Sequence, residues 1–516
     1  MLNAAPNGII QLHPDDNTCV AASDLPSGTR IEIDGAECIT VDRIRSGHKI
    51  ALRAIAEGDA VRKYGQTIGY ATQPIPAGAW VHVHNLAIGD IPREYASAAE
   101  IPAPPAPILD RSFLGYRRAD GRCGTRNYVG VISSVNCSAS VCKHIARHFE
   151  GSFLRDYPQV DGVVALTHHA GCGMQYGGMA HQMLNRVLGG LARHPNIGAY
   201  LLVGLGCEQA TLSHLIRDQG LVQLTGTAGP QGSPPVFIMQ ELGGTAKTVE
   251  AGVRKIAELL PLANDVRRVP IPASELMLGT NCGGSDGNSG ITANPALGVA
   301  ADMLVACGGT AILTETPEIF GAEHLLTRRA RSTEVAEKLI ERIKWWQWYT
   351  GLFGVALDNN PSVGNKEGGL TTIAEKSLGA VAKGGSTALM DVFQYAEPIR
   401  TRGFVVMDSP GYDPPSVTGL VASGANVVVF TTGRGSCFGC KPVPSIKVAT
   451  NTAMYERMRD DMDLNAGEIL QGRSVADVGR EIFEEIIAVA SGKKTKSEQL
   501  GVGDEEFMPW IVGPTL

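Results

Sequence analysis

Apolar and polar positions alternate in short runs over the first hundred residues. Gly8–Leu12, Thr18–Ala22, Thr29–Ile33, Lys49–Leu52 and Trp80–His84 read as strands, separated by turns such as Pro26-Ser-Gly28 and Pro76-Ala-Gly78. From about residue 111 the rhythm changes. Continuous apolar runs at Tyr128–Ile132, Gly162–Leu166, Ala199–Leu205, Met303–Ala306, Thr310–Thr314, Gly403–Met407 and Asn426–Thr431 predict fully buried strands. Helix-length amphipathic segments lie between them, at Ser138–Phe149, Met179–Ala192, Ala246–Leu260 and Ser332–Tyr349. Such alternation predicts an α/β body with mostly parallel sheets and covering helices, preceded by a small β-rich module. Ile101-Pro-Ala-Pro-Pro-Ala-Pro-Ile108 is a stiff linker between the two. The boundaries expected are 1–98 for the module, 99–110 for the linker, and 111–267 and 268–516 for two α/β domains. No internal repeat is evident to the eye.

Composition narrows the classes. The 516 residues carry 45 basic and 52 acidic side chains for a net charge of −7, so a nucleic-acid partner is not expected. No uncharged apolar stretch reaches the length of a membrane span, and Asp15 and Asp16 interrupt any signal-peptide core. A cytoplasmic protein is expected, and its 11 cysteines read as thiols. An α/β enzyme of this size is expected to be a homo-oligomer, a dimer being the simplest. The 62 glycines are an excess that gathers at predicted strand ends, where active sites of parallel folds lie.

The chemistry gathers there too. Cys172, Cys207 and Cys282 each sit beside glycine, and three thiolates with a fourth position free would suit an iron–sulfur cluster acting as a Lewis acid. The plainer reading is three small buried hydrophobes. Cys437-Phe-Gly-Cys440 stands alone and reads as packing or redox sensitivity. In the module, His13 precedes Asp16-Asn17, and His82 and His84, at i and i+2 on a strand, would share a face and could hold one divalent ion. Asn281 to Pro295 is the densest constellation, a Gly-rich loop offering Ser285, Asp286, Ser289, Thr292 and Asn294. Such a loop cradles polyhydroxylated or anionic ligands. Asn365-Lys366 and Arg434 supply loop groups suited to a carboxylate. No Walker A or GxGxxG motif is present.

As a set these strings resemble the altronate/galactarate dehydratase family. The resemblance rests on His13-x-x-Asp-Asn17, Gly47-His-Lys49, Lys63-Tyr-Gly65, Gly204-Leu-Gly-Cys-Glu208, Cys282-Gly-Gly-Ser-Asp286, Ser289-Gly-Ile-Thr-Ala-Asn-Pro295, Asn360-Pro-Ser-Val-Gly-Asn-Lys366 and Phe430-Thr-Thr-Gly-Arg-Gly435. It runs from about residue 8 to the end and is nearer the altronate branch. It implies an N-terminal SAF domain and an iron-dependent hydro-lyase (Fe2+, or an iron–sulfur cluster) turning a sugar acid into a 2-keto-3-deoxy acid. On that reading iron is held by Cys172, Cys207 and Cys282 or by His13, His82 and His84. His48, Lys49 and Asp286 are the acid–base candidates. Ser285, Ser289, Thr292, Asn294, Asn365, Lys366 and Arg434 bind the substrate. A related lyase expelling sulfite from sulfolactate, or a non-enzymatic sugar-acid sensor, are the alternatives.

Overall fold

The computed structural model describes residues 8–33, 36–91, 95–225, 228–230 and 232–512. The N-terminal module is antiparallel throughout. One sheet runs Ile9–Ile10, Thr18–Ala21, Lys49–Ala51, Trp80–Val81, a second runs Ala60–Lys63, Gln66–Ala71, Leu86–Ala87, and Arg30–Ile33 pairs with Ala36–Ile39. The module does contain a repeat, contrary to the reading by eye. Leu25-Pro-Ser-Gly28, Ile44-Arg-Ser-Gly47, Ile55-Ala-Glu-Gly58 and Ile75-Pro-Ala-Gly78 are four copies of one turn. Each puts its Leu or Ile in the core and its glycine at φ of 80° to 83°. Leu25 bridges to Ile44 and Ile55 to Ile75. The copies are unequally spaced, which is why no period shows. The positive φ demands glycine at each.

Two parallel sheets form the body. The first has the strand order Gly162–Leu166, Tyr128–Ser133, Ile197–Gly204, Val236–Ile238. The second has seven strands in the order Leu389–Phe393, Gly403–Met407, Thr310–Leu313, Met277–Cys282, Val427–Thr432, Ser445–Ala449, Leu464–Asn465, every neighbouring pair parallel. Met277–Cys282 lies at the centre, with its chain neighbour Thr310–Leu313 on one side and the much later Val427–Thr432 on the other. The loops after these three strands therefore meet at a topological switch point. Met303–Ala306 is not a strand but the last turn of the helix Ala293–Ala306. That helix is small and apolar on nearly every face, so a four-residue window of it cannot be told from a buried strand. Trp80–His84 likewise yields only Trp80–Val81 as strand before the chain turns back.

The domains are packed together. Leu188 and Leu191 share a core with Leu420 and Val421 across the two sheets. Ile55, Ile68, Val81 and Leu86 of the module share another with Ile319, Leu339 and Phe404 of the last domain. Burying several such side chains at ~1.5–3 kcal/mol each fixes the module on the larger sheet. Among the described residues, no helix is long and apolar enough to cross a membrane.

Candidate active site

The second copy of the module's turn, residues 44–48, inserts into the carboxyl-end loops of the seven-stranded sheet. It can do so because glycines face it. A Cβ on Gly287 or Gly369 would collide with the Gly47 carbonyl, and one on Gly47 would press on the Asn288 amide. Gly287→Ala is therefore expected to loosen the module, lowering the urea midpoint and raising proteolysis in the 99–110 linker. Unchanged values would show that the contact carries no weight. Beside this contact lies a cleft of about 620 Å3, whose walls include Arg45, His48, Asp286, Asn288, Glu367, Arg434, Asn451 and Arg457.

His48 is buried, and its state follows from its partners. Trp80 can only donate, so its indole Nε1, 3.1 Å from His48 Nδ1, makes that nitrogen the acceptor. The proton then sits on Nε2, 3.2 Å from the Glu367 carbonyl oxygen. Burial, with the Lys49 ammonium adding to it, pushes His48 down to about 4. His82, stacked on Trp80 with ring centroids 4.8 Å apart, is pushed by burial and then Lys49 to about 3. Both are neutral near pH 7. Because the folded values lie below that of an unfolded histidine, the unfolded chain binds more protons between about pH 4 and 6.5. Stability contributed by the pair is present above that window and lost as pH falls through it. A His48→Gln/His82→Gln variant should lose less stability than the parent between pH 7 and 4.5. Equal urea-midpoint shifts would contradict this.

Lys49 lies behind the cleft wall. Its ammonium donates to the Gly369 carbonyl at 2.7 Å and to both Glu375 oxygens at 2.9 and 2.8 Å, while Lys63 reaches Glu375 Oε1 at 2.9 Å. All three side chains are sealed from solvent. Burial draws Lys49 down to about 8 against the pull of Glu375. Burial would raise the Glu375 carboxyl, yet the two ammoniums outweigh it and hold it below the usual range. This triad ties the module to the helix Ile373–Ala380.

Asp286 is buried at the base of the cleft. Its Oδ1 accepts from Asn288 N at 3.1 Å, Ser289 Oγ at 3.0 Å and Thr450 Oγ1 at 3.0 Å, and its Oδ2 accepts from Asn451 Nδ2 at 3.1 Å. Burial raises its pKa against these donors. Two neighbours, Ser285 Oγ and Asn288 Oδ1, are buried without a partner. Arg434 projects half-exposed, 3.3 Å from Glu367. Other residues of the sequence reading are framework. Thr292 donates to the Thr450 carbonyl at 2.8 Å, Asn294 donates to the Gly379 carbonyl at 3.0 Å, and Asn365 donates to the Ser285 carbonyl at 2.9 Å. Lys366 is half-buried on the short helix Val363–Glu367.

The iron candidates separate. His13, His82 and His84 do not bring their ring nitrogens within 4.8 Å of one another; among the described residues only Cys282, Glu315 and Glu318 form such a group. The Lys383 ammonium stands 2.7 Å from both Cys282 Sγ and Glu315 Oε2, and Lys376 stands 2.7 Å from Glu318. Lysines thus fill the place a bridging ion would take, and burial, with Glu315 adding to it, raises the Cys282 thiol. This set does not fit iron. Cys172 and Cys207 are exposed in the other parallel domain, on loops with glycines at positive φ (Gly171, Gly173, Gly206), and their thiol chemistry does fit it.

Sequence reasoning missed Arg45, Asn288, Asn451, Lys63 and Glu375. Asn288 stood in view inside the Asn281–Pro295 constellation, and Lys63 inside Lys63-Tyr-Gly65. Glu375-Lys376, a charged pair in an otherwise small and apolar helix, was the signal for the buried pairs.

Models of three protein families match the chain in succession. They are the altronate/galactarate dehydratase SAF domain over 7–89, the second domain of D-galactarate dehydratase/altronate hydrolase over 115–264, and the C-terminal domain of D-galactarate/altronate dehydratase over 273–515. An altronate dehydratase of Bacillus subtilis is 37% identical over 95% of this chain and 96% of its own length. A galactarate dehydratase (L-threo-forming) of Escherichia coli is 39% identical over 96% and 95%. A (2R)-sulfolactate sulfo-lyase subunit beta of Chromohalobacter salexigens is 31% identical over 76% and 96%. With all three domains matched and relatives aligned nearly end to end, this chain belongs to the altronate/galactarate dehydratase family.

Proposed function

We propose that this hydro-lyase removes water from a hexonate or hexarate in the cleft where the module meets the seven-stranded sheet. The observation that carries the reading is the pairing, in one cleft, of three guanidinium side chains with a buried carboxylate. Arg45, Arg434 and Arg457 line the same walls as Asp286 and His48. Guanidiniums bind a carboxylate and stabilise the charge that develops on it when the neighbouring C–H is ionised. Asp286 takes the C2 proton, its basicity raised by burial. His48, neutral at the working pH with its Nδ1 taken by Trp80 and its Nε2–H by the Glu367 carbonyl, fixes the wall of the cleft rather than exchanging a proton. The partnerless oxygens of Ser285 and Asn288 receive substrate hydroxyls. Loss of the C2 proton and the C3 hydroxide leaves an enol, which tautomerises to the 2-keto-3-deoxy acid.

The test is keto-acid formation from a panel containing altronate, galactarate and sulfolactate, assayed anaerobically with ferrous iron. Keto acid from a sugar acid supports the reading. Sulfite release from sulfolactate would favour the chemistry named for the Chromohalobacter relative, and binding without turnover would favour a sensor. Arg434→Gln is expected to raise KM for the sugar acid about tenfold or more with a smaller change in kcat, because a charge-assisted carboxylate contact contributes roughly 1.5–3 kcal/mol. An unaltered KM would remove Arg434 from the substrate's carboxylate.

A further inference from the structure

Four cysteines are exposed, namely Cys137, Cys172, Cys207 and Cys437, and the first three belong to one edge of the four-stranded sheet. Cys137 follows the strand Tyr128–Ser133, Cys172 follows Gly162–Leu166 and Cys207 follows Ile197–Gly204. These are three adjacent parallel strands, with Tyr128–Ser133 in the middle. Their carboxyl ends stand about 4.8 Å apart from neighbour to neighbour, and hydrogen bonds lace the loops together. Asn136 N donates to the Ala170 carbonyl at 2.9 Å, and Ala210 N donates to the Gly171 carbonyl at 3.0 Å. Ser134 Oγ donates to Glu208 Oε1 at 2.9 Å, and Ser138 Oγ donates to the Val203 carbonyl at 2.9 Å. A Cβ on Gly171 would strike the Ser134 carbonyl, so this close approach of the Cys137 and Cys172 loops requires glycine.

We infer that Cys137, Cys172 and Cys207 hold an iron–sulfur cluster of the four-iron type, with one iron corner left free of protein sulfur. Two observations select a cluster over a single ion. A lone tetrahedral metal with bonds of ~2.3 Å needs its thiolates about 3.8 Å apart, and these three sulfurs do not form a group within 4.8 Å. A cluster spreads its thiolates wider, since each binds a different iron. The thiols are also open to solvent, unlike Cys142, Cys282 and Cys440, which are buried and need no ligand. Cys282, the third cysteine of the sequence reading, is replaced here by Cys137, because Cys282 lies in the other sheet against Lys383. A cavity of about 400 Å3 adjoins the loops, walled by Asn136, His168, His169 and Ala170 and by the segment 504–511. Binding of a preassembled cluster is a ligand exchange without electron transfer: each thiol passes its proton to the thiolate that leaves one iron of the delivered cluster, and its sulfur takes that thiolate's place.

The test uses the full chain purified anaerobically from iron-replete cells. Iron, acid-labile sulfide, visible absorbance and the EPR signal after reduction are measured. The parent should carry roughly four irons and four sulfides per chain, the stoichiometry of one such cluster. Cys137→Ser, Cys172→Ser and Cys207→Ser should each lose most of the sulfide and absorbance while keeping the parent's circular dichroism. Cys437→Ser, altering the remaining exposed thiol, should keep both. A parent with iron but no sulfide, a parent with neither, or a Cys137→Ser variant with parental content would overturn the assignment. These readouts need no turnover, so they stand apart from the substrate panel.

Discussion

Replacing Asp286 by asparagine is expected to lower kcat/KM for sugar-acid dehydration by about 10²–10⁴, the range a positioned general base contributes, while leaving a folded protein. Asparagine keeps the shape and one acceptor oxygen, so Asn288 N, Ser289 Oγ and Thr450 Oγ1 can still donate to it. Its amide would oppose the Asn451 Nδ2 that now donates to Asp286 Oδ2. That mismatch costs about 1–3 kcal/mol, a loss visible in the urea midpoint but too small to unfold the domain. What asparagine cannot do is accept the C2 proton. The fall should therefore be in kcat more than in KM, and the acidic limb of the pH–rate profile should vanish with it. Activity within tenfold of the parent, with that limb intact, would move the base elsewhere and leave Asp286 as an anchor for the loop 283–290.

The legible parts of this chain were those whose signal is local. Strand and helix alternation is written in windows of five to fifteen residues, so Tyr128–Ser133, Met179–Ala192 and Val427–Thr432 could be read directly. The Gly-rich loops at strand ends could also be read, since a positive φ or a close approach leaves glycine few substitutes. The four-fold turn of the module escaped because its copies share only two spaced positions, a Leu or Ile and a Gly, and no period. The division of labour within the site escaped for a different reason. Thr292, Asn294 and Asn365 have the same side-chain chemistry as Ser285 and Asn288. Only the fold shows that the first three spend it on backbone carbonyls, whereas Ser285 Oγ and Asn288 Oδ1 have no partner. Similarly, nothing along the chain says that Lys49 faces Glu375, more than 300 positions away, rather than the substrate. Residue type names the capability, and the long-range pairing decides its use.

That pairing makes the second strong prediction. Glu375→Gln should destabilise the docked module by about 3–5 kcal/mol, the cost of leaving a buried charge uncompensated. Glu375 has two buried ammoniums to balance, at 2.8–2.9 Å, and it also accepts from Thr371 Oγ1 at 2.6 Å and Thr371 N at 2.9 Å. Glutamine would keep one acceptor and turn an N–H toward a lysine. Relief should come from proton release. Lys49 already sits near 8 with the carboxylate present, and without it the neutral amine is the cheaper buried form. In the variant the unfolded chain then holds a proton on Lys49 that the folded chain does not, so stability rises with pH over this range. The deficit relative to the parent should be larger at pH 7 than at pH 9. A Lys49→Met/Glu375→Gln double variant should be less destabilised than the sum of its parts, since one unpaired ammonium has gone. The readouts are the urea midpoint and proteolysis in the 99–110 linker, which exposes the undocked module. A Glu375→Gln protein within 1 kcal/mol of the parent at pH 7, or a deficit indifferent to pH, would mean that apolar packing alone holds the module. Lys49 would then be free to be reconsidered as a group that acts on substrate.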